Sequence, residues 1–470
     1  MPPLPRLRRP LTPPLLAAIA LAATSATAAN ADEPPAYVPG EVVVGYAPSA
    51  SSAPAQAAVA AAVGARVGGA AGAGGNRVRV LHVAPGEVRA TVAKLRRLPG
   101  VAFAAPNPIA HASQVPLPND PGISGYPGGL AALQWNFYGA WGVNALEAWS
   151  NLESSAPGGR GVRIAVLDTG VAYRNLGRFR RSPDFAATKF VAPRDFVDRT
   201  RYPVDRNGHG THVAGTIAEA TNNGLAVSGL AWGATIMPVR VLDARGYGDA
   251  TTIAKGIRYA VRHNAKVINM SLEFSTSVRR VEIPDITAAL RYADRHGVVV
   301  VGSSGNEGEA RIAYPARTSN VISVGATTDD GCLADFSNDG FGLDLVAPGG
   351  GDDADLSNDP NCQPGHRGAD IYQMTYTDSV AHFELPSGYD GTSMAAPHVS
   401  ATAALVIASG VLGARPTPSQ VECRLKATAR QLGIPGPNRV YGYGLIDAGA
   451  ATSAANATPQ CTAGAARAPR

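Results

Sequence analysis

The sequence predicts an α/β protein: a three-layer domain with a mostly parallel central sheet, preceded by a small α+β domain. Over residues 134–454, continuous apolar runs alternate with helical patterns, as expected for parallel strands covered by helices on both faces. Residues 32–112 form a separate strand-and-helix unit. A stretch rich in Pro, Asn and Gly at residues 116–129 marks the boundary between the two units.

The composition favours a globular protein with a large core and no nucleic-acid partner. The chain has 470 residues, of which 45% are hydrophobic and only 16% are charged. A chain of this length is expected to form more than one domain. The net charge of +5 is spread without a block of Lys and Arg, whereas proteins that bind nucleic acids usually concentrate their positive charge.

The first 31 residues have the features of a signal peptide. Three arginines within the first nine residues precede the apolar run Leu15–Ala23, and Ala-x-Ala patterns end at Ala28 or Ala31. The apolar run is far shorter than the ~20 residues that cross a bilayer. We therefore expect an exported, extracellular protein without a membrane anchor.

The first unit follows the order strand, helix, strand, helix, strand. Runs rich in β-branched residues predict the strands, and helical spacing predicts the helices. A segment so rich in Gly and Ala that it favours a flexible loop interrupts them. The sequence predicts strands at Glu41–Tyr46, Arg77–Val83 and around Val101–Ala104, helices at Ala53–Val63 and Glu87–Leu98, and a loop at Gly68–Gly75.

The second unit alternates apolar strands with helices. The predicted strands are Val162–Leu167, Met237–Leu242, Val267–Leu272, Val298–Gly302 and Val321–Val324, with helices near residues 250–264, 284–296 and 418–430. In such sheets, active sites lie at the carboxyl ends of the strands. Polar residues that follow these strands are therefore the first candidates for a site.

The four cysteines remain in the chain after export. They allow three pairings, and an oxidising compartment favours disulfides. Proximity along the chain favours Cys332–Cys362 and Cys423–Cys461. A zinc site is the alternative, but the sequence has no Cys-x-x-Cys pair to support it.

A candidate acid lies where a predicted strand ends, and a candidate base lies where a predicted helix begins. Asp168 follows the strand Val162–Leu167 and precedes Thr-Gly, although an Asp that only caps a loop gives the same pattern. His209 begins a Gly- and Ala-rich helix in the motif His-Gly-Thr-His-Val-Ala-Gly. A metal pair with His212 is the alternative, but no acidic ligand follows at the spacing of zinc proteases. We expect His212 to be a buried core residue.

The other two candidate site residues supply a hydroxyl group and a side-chain amide. Ser393 begins an Ala-rich helix in the motif Gly-Thr-Ser-Met-Ala-Ala-Pro-His. A simple N-cap is the alternative, but the free N–H groups of a helix N-terminus also suit a developing oxyanion. Asn306 follows the strand Val298–Gly302 beside a glycine turn, where a turn Asn is the alternative. We expect His398 to be structural.

Together these motifs resemble those of the subtilisin-like (subtilase) serine proteases, in the same order and over nearly all of residues 134–454. The resemblance implies the subtilisin-like fold and serine endopeptidase activity. It implies a catalytic triad of Asp168, His209 and Ser393, with Asn306 as the oxyanion donor. The alternative is an inactive binding protein on the same scaffold. Such a protein is expected to have lost Ser393 or His209, and both are present.

The resemblance also implies where a peptide binds, since in this family the substrate adds as a strand between two protein edges. The residues implied are Ser271, Leu272, Gly246, Tyr247 and Gly248 at the edges, and Ser303, Ser304, Gly305 and Ala313 around the first specificity pocket. Two residues depart from the family pattern, because Glu273 and Ala313 replace glycines. Glu273 adds charge or bulk, and Ala313 makes the pocket shallower. We expect broad specificity with a medium-sized apolar side chain at P1, the residue before the cleaved bond.

The first unit resembles the subtilase propeptide, which has a ferredoxin-like fold, assists the folding of the peptidase domain and then inhibits that domain. The resemblance implies an autoprocessed zymogen in which residues 32–112 inhibit their own peptidase domain, whose substrates are proteins and peptides. We expect cleavage between Ala110 and Gln114, a linker and mature N-terminal segment at 113–133, and a C-terminal tail, 455–470, tethered by Cys461. We also expect a monomer.

Catalysis by these residues needs no cofactor. The loop Thr221–Gly224 follows the His209 helix, where family members bind Ca²⁺, so the resemblance implies a structural calcium ion. The loop is one residue longer than the usual pattern, and a plain turn explains it equally well.

Overall fold

The computed structural model describes residues 37–70, 77–108, 117–123 and 126–456. The chain divides into two compact units, Met1–Gln114 and Val115–Arg470. The signal peptide and the cleavage segment that the sequence predicts, and Cys461, lie outside the described residues. Among the helices of the described ranges, none combines the length and apolar character needed to span a bilayer.

The first unit is an antiparallel sheet with two helices. The elements are β1 (Tyr37–Tyr46), α1 (Ala53–Ala62), β2 (Arg66–Ala70), β3 (Val78–His82), α2 (Val88–Leu95) and β4 (Val101–Pro108). The strand order is β2-β3-β1-β4, and the succession βαββαβ is the ferredoxin-like motif. Val42, Val44, Leu81 and Leu95 are fully buried in its core.

One sequence prediction in this unit is wrong. The segment Gly68–Gly75 is predicted to be a loop, but β2 extends to Ala70 and pairs with β3, with Val67 opposite Leu81. Residues 71–75 lie outside the described residues. A Cβ on Gly68 would lie 2.8 Å from the carbonyl oxygen of Val80. The glycine therefore permits a close approach between strands, a role that composition alone cannot distinguish from a loop.

The second unit is built on an eight-stranded sheet in which every pairing is parallel. The strands of this sheet are β7 (Arg163–Asp168), β8 (Lys189–Phe190), β9 (Arg194–Asp195), β10 (Thr235–Arg240), β11 (Val267–Met270), β12 (Val299–Ser303), β13 (Ile322–Thr327) and β14 (Leu345–Pro348). Their order is β14-β13-β12-β11-β7-β10-β8, and β9 also pairs with β10. Two short antiparallel pairs lie outside the sheet: β5 (Gly122–Ile123) with β6 (Tyr126–Pro127), and β15 (Thr375–Tyr376) with β16 (Phe383–Glu384).

Helices cover both faces of this sheet. They are α3 (Gly129–Leu133), α4 (Trp135–Tyr138), α5 (Ala145–Leu152), α6 (His209–Ala218), α7 (Ala250–Arg262), α8 (Pro284–Arg295), α9 (Thr392–Ser409), α10 (Pro418–Thr428) and α11 (Ala448–Thr452). Alternate residues of β7 point to opposite faces. Val166 belongs to the core that contains Ile217 of α6 and Val399 of α9, whereas Leu167 belongs to the core that contains Ile257 of α7. The three-layer α/β fold is thereby confirmed.

The predicted long strands and helices of this unit are present, with ends that differ by at most three residues. The sequence missed β14, whose pairing with β13 sets the edge of the sheet, and the short β8 and β9. The disulfide Cys332–Cys362 is formed. The pairing of Cys423 with Cys461 stays a prediction, because Cys461 is outside the described residues.

Candidate active site

The acid and the base predicted from sequence meet at the carboxyl edge of the sheet. Asp168 is the last residue of β7, and His209 is the first residue of α6. Nδ1 of His209 lies 2.7 Å from Oδ1 of Asp168. Because the carboxylate accepts, Nδ1 carries the proton and Nε2 is left as the basic nitrogen. The side chain of Asp168 is fully buried, while that of His209 is 25% exposed.

The carboxylate of Asp205, which the sequence did not indicate, bonds both to the segment after Asp168 and to the segment around His209. Thr169 donates its hydroxyl to Oδ1 of Asp205 at 2.9 Å, and the same hydroxyl accepts from the N–H of Gly210 at 3.0 Å. The N–H of Gly208 donates to Oδ1 of Asp205, and the N–H of Thr211 donates to Oδ2. Asp205 lies in a loop without periodicity, so its sequence context gives no signal of this role.

The electrostatic surroundings favour the protonated imidazole. Burial on its own lowers the pKa of His209, but the charge and hydrogen bond of Asp168 and the charges of Asp205 and Glu273 more than offset it. The pKa of His209 is therefore raised above its ordinary value. The arrangement suits a base that becomes an imidazolium during reaction.

Ser393 is the second residue of α9 and is half-buried. Pro397 lies four residues later and has no N–H, so the carbonyl of Ser393 lacks its helical donor. The hydroxyl of Ser271 donates to that carbonyl instead, at 2.7 Å. The end of β11 is thus tied to the turn that carries Ser393.

The orientation of Asn306 is set by Thr392. Oδ1 of Asn306 accepts from the backbone N–H of Thr392 at 2.8 Å and from its hydroxyl at 2.9 Å. Because a backbone N–H can only donate, the oxygen must face Thr392, and the Nδ2 donor faces away from it. The N–H of Ser393 is among the first of α9, which have no partner within the helix. Two donors therefore lie at one helix N-terminus, where negative charge is stabilised.

The hydroxyl of Ser393 forms no side-chain hydrogen bond within the described part of the chain, while the imidazole bonds to Asp168. Catalytic hydrogen bonds are often long until substrate binds. The contact between Ser393 and His209 therefore stays a prediction.

The residues expected around the first specificity pocket lie together. Ser303, Ser304 and Ala313 are almost fully buried. The N–H of Ala313 donates to the carbonyl of Ser304 at 2.7 Å, and the hydroxyl of Ser303 donates to the carbonyl of Leu272 at 3.3 Å. Gly305 has a φ of +116°, a conformation that other residues rarely adopt.

The other predicted edge, residues 246–248, lies in the loop after β10. The carboxylate of Asp243 holds this loop by accepting from the N–H groups of Arg245 and Tyr247. The side chain of Tyr247 is 71% exposed. A Cβ on Gly248 would lie 2.5 Å from the carbonyl oxygen of Val241, so the turn requires glycine there.

The remaining histidines of these motifs are core residues, as expected. His212 is fully buried, donates from Nε2 to the carbonyl of Ile371 and stacks on Tyr389. Burial lowers its pKa to about 3. His398 is also fully buried, with Nδ1 bonded to the carbonyl of Met394.

The chain is similar to known proteins in both of its units. Residues 159–444 match the subtilase family, and residues 23–107 match the fervidolysin N-terminal prodomain. Subtilisin Savinase of Lederbergia lenta is 37% identical over 314 residues, which are 66% of this chain and 98% of that protein. A thermophilic serine proteinase of Bacillus sp. strain AK1 is 34% identical over 362 residues, 77% of this chain and 75% of that protein.

A solved structure is also similar. A protease from Pseudoalteromonas arctica PAMC 21717 superposes with a TM-score of 0.56 and 30% identity, covering 73% of this chain and 100% of that one. These matches span both the prodomain and the domain that carries Asp168, His209 and Ser393. The chain therefore belongs to the subtilase family and is a subtilisin-like serine endopeptidase with an N-terminal prodomain.

Proposed function

We propose that the chain is made as an exported zymogen and acts as an extracellular endopeptidase of broad specificity. The observation that carries the proposal is the 2.7 Å hydrogen bond between Asp168 and His209, placed at the same sheet edge as the helix N-terminus of Ser393. A base oriented by a buried acid beside a helix-terminal hydroxyl is the arrangement that acyl transfer requires.

In this proposal Ser393 is the nucleophile and His209 the general base. Oγ of Ser393 attacks the scissile carbonyl while Nε2 of His209 takes its proton. Asp168 holds the imidazole in the tautomer that leaves Nε2 free and stabilises the imidazolium. His209 then returns the proton to the leaving amine, and the acyl group remains on Ser393 until water attacks it.

The tetrahedral intermediate would be held by Nδ2 of Asn306 and the N–H of Ser393. Thr392 fixes the amide before substrate arrives, so no reorganisation is needed when charge develops on the oxygen. This pre-orientation supports assigning Asn306 as the oxyanion donor.

The pocket walls support a preference for medium-sized apolar side chains at P1. Ser303 and Ser304 are buried, their hydroxyls donate to backbone carbonyls, and Ala313 fills space at the floor. One relative, alkaline elastase YaB of Bacillus sp. strain YaB, is 37% identical over 314 residues. An elastase pocket accepts small side chains, which agrees with a shallow pocket here.

The prodomain match supports autoprocessing, because such a domain would act as an intramolecular inhibitor. We propose cleavage between Ala110 and Gln114, removal of residues 1–31 on export, and a mature enzyme that acts on protein and peptide substrates as a monomer. The arginine-rich start and short apolar run of the chain support export.

We also propose a structural calcium ion at the loop that follows α6. Asp184, which precedes β8, contacts this loop: its side chain is fully buried and accepts from Nδ2 of Asn223. Oε2 of the buried Glu219, at the end of α6, has no hydrogen-bond partner. The described residues hold no cluster of three or more His, Cys, Asp or Glu arranged around a metal. Carboxylate and backbone carbonyl oxygens are ligands that Ca²⁺ prefers, so the carboxylates of Asp184 and Glu219, whose charges interact, would bind it together with loop carbonyls.

Active-site titration of the secreted protein with a serine-directed phosphonate tests the catalytic assignment. We expect one equivalent to bind the wild type, and none to bind Ser393→Ala, which should fold normally and fail to hydrolyse casein. Casein hydrolysis by Ser393→Ala at the wild-type rate would overturn the assignment. N-terminal sequencing of both proteins tests autoprocessing, since the inactive variant should keep its prodomain.

A further inference from the structure

Positive charge is concentrated on one surface of the peptidase domain. Residues 174–206 contain nine Lys and Arg residues but only four Asp residues. Three of these acids, Asp184, Asp195 and Asp205, are buried, and the fourth, Asp198, is paired with arginines. The charge that this segment presents to solvent is therefore almost entirely positive.

Four exposed arginines of this segment, which we call the arginine surface, gather around two aromatic rings. The members are Arg174, Arg178, Arg201 and Arg206. The guanidinium carbons of Arg174 and Arg201 lie 4.9 and 5.6 Å from the centre of the Tyr202 ring, and those of Arg178 and Arg206 lie 5.5 and 5.9 Å from the centre of the Phe179 ring. Cation–π attraction at these distances restricts the guanidinium groups before any ligand binds.

The positive charges of the arginine surface are poorly compensated by the protein. Among the described residues, Arg206 is the only member in an ion pair, with Asp198 at 2.6 Å, and that carboxylate is shared with the buried Arg240 at 3.0 Å. Each aromatic ring brings two like charges close together, and these charges repel each other. Carboxylates from another molecule would relieve this repulsion and form charge-assisted hydrogen bonds with the guanidinium groups.

The arginine surface adjoins the catalytic edge of the sheet. Arg206 precedes His209 by three residues, so their Cα atoms lie at most about 11 Å apart. The N–H of Ala172 donates to the hydroxyl of Thr211 at 3.0 Å, which fastens the chain just before Arg174 to the helix that carries His209. A polypeptide whose scissile bond lies beside His209 can therefore reach the arginine surface with residues a few positions away.

We propose that the arginine surface is an exosite, a binding surface outside the cleft, which holds an acidic segment of a protein substrate several residues from the scissile bond. This inference rests on the proposed extracellular endopeptidase function. A contact so far from the reacting bond lowers KM more than it raises kcat, and the positive field speeds the encounter with acidic substrates. The enzyme thus favours acidic proteins although it is broad in specificity at the cleaved bond.

The surroundings of the two rings favour a polypeptide over a nucleic acid. Proteins that bind single-stranded nucleic acids present open aromatic faces on which the bases stack. Tyr202 and Phe179 are only partly exposed, and guanidinium groups already lie over them. The arginine surface supplies charge and N–H donors without a stacking platform, which suits carboxylates.

Internally quenched peptides with a common core and methionine at P1 test the proposal. One peptide carries four aspartates about five residues before the scissile bond, a distance of roughly 17 Å when extended, and a second carries them equally far after it. Two control peptides carry asparagines at the same places. The measurement is the ratio of kcat/KM for each aspartate peptide to kcat/KM for its asparagine control. We expect a ratio of roughly ten for at least one placement at low salt, falling towards one at about 0.5 M salt, where exposed charges are screened.

A triple variant identifies the residues responsible. Arg174→Gln/Arg178→Gln/Arg201→Gln removes three charges and keeps Arg206, whose ion pair lies in the segment that precedes His209. Because the ratio compares two peptides on the same protein, a general loss of activity cancels. The ratio of this variant should fall close to one.

Lys255→Gln/Arg291→Gln/Arg295→Gln is the matched control. It removes the same charge from exposed positions of α7 and α8 and should keep the wild-type ratio. Equal ratios in the two triple variants would overturn the proposal. A wild-type ratio close to one at both placements contradicts the exosite while leaving the protease assignment intact, whereas failure to cleave any of the peptides contradicts the protease assignment itself.

Fluorescence anisotropy with a labelled single-stranded DNA oligonucleotide tests the other class of partner. The measurement uses the Ser393→Ala protein, with and without the three substitutions at residues 174, 178 and 201. If the oligonucleotide binds only the protein that keeps these arginines, and the wild-type enzyme cleaves the aspartate and asparagine peptides alike, the surface binds phosphates and the proposal is overturned.

Discussion

The hydroxyl of Ser271 donates a 2.7 Å hydrogen bond to the carbonyl oxygen of Ser393. Behind it, Nδ2 of Asn269 donates to the Ser271 hydroxyl at 3.0 Å, and Ser400 donates to Oδ1 of Asn269 at 2.8 Å. All three of these polar side chains are buried. These bonds link the end of β11 to two turns of α9 and so fix the position of the turn that carries Ser393, the proposed nucleophile.

Ser271→Ala should therefore lower kcat more than it raises KM. The variant leaves the Ser393 carbonyl buried and without a donor, which costs about 1 to 3 kcal/mol of stability. A small displacement of the nucleophile should lower kcat by roughly tenfold. The backbone edge that binds substrate is unchanged, so KM should stay within about twofold. Steady-state kinetics alongside Ser277→Ala, an exposed serine of the next loop, provides the check, and an unchanged kcat would remove the positioning role.

Asn306→Asp separates the two functions of the Asn306 side chain. The aspartate keeps an oxygen to accept from Thr392 but loses the Nδ2 donor. We expect kcat to fall by on the order of 10² to 10³, a magnitude measured in subtilisin itself, with thermal stability close to that of the wild type. Asn306→Leu should show the same loss of kcat together with a lower Tm, because the bonds from Thr392 are also lost. Near-normal kcat in both variants would show that Asn306 is not the oxyanion donor.

The pH–rate profile should respond to Glu273. The proposed base, His209, must be neutral to accept a proton, so kcat/KM should rise with pH through its pKa. The charge of Glu273 raises that pKa, and its removal in Glu273→Gln should move the acid limb of the profile to lower pH. A peptide p-nitroanilide with methionine at P1 is a suitable substrate, because its P1 side chain carries no charge. Glu309→Gln, at an exposed acid of the loop after β12, should leave the limb in place, and a shift to higher pH in Glu273→Gln contradicts the electrostatic assignment.

Calcium removal tests the proposed ion independently of activity. We expect a chelator to lower the Tm of the Ser393→Ala protein, which cannot digest itself, and excess Ca²⁺ to restore it. Asp184→Asn should lower the Tm and abolish most of the response to chelator. Asp285→Asn, an acid in the first turn of α8 far along the chain, is the control. An identical Tm with and without chelator in the parent protein would exclude a stabilising calcium ion.

Loss of the Cys332–Cys362 disulfide should lower stability without changing the site. The bond closes a loop with a sequence separation of 30, for which restriction of the unfolded chain contributes about 3 to 4 kcal/mol. The double variant Cys332→Ala/Cys362→Ala should show a lower denaturant midpoint and a normal phosphonate titre. An unchanged midpoint would mean that this loop is already ordered in the unfolded protein.

The sequence was most informative where a buried strand ends in a polar residue. Asp168 and Asn306 were predictable because the continuous apolar runs before them identify central strands, and the geometry of parallel sheets places their carboxyl ends on one edge. Ser393 and His209 were predictable because small residues and helix starts surround them.

Residues whose roles depend on distant partners were not predictable. Asp205 is defined by hydrogen bonds to Thr169 and Thr211, and nothing in its own neighbourhood indicates them. Glu273 departs from the family pattern, but its electrostatic interaction with Glu307, 34 positions later in the chain, arises only once the sheet is folded. Strand β2 was missed because a glycine-rich segment can form either a closely packed strand or a loop.

Asp168 and His209 come from segments separated by about 40 positions, yet Asp205 anchors both. Thr169 ties the turn after the acid to that carboxylate, while Gly208 and Thr211 tie the start of the helix that carries the base. Any local opening that frees Asp205 must release both members of the pair at once. On heating, the enzyme should therefore lose its proton-transfer machinery as a single unit and in one step, with no stage at which a correctly held acid faces a misplaced base.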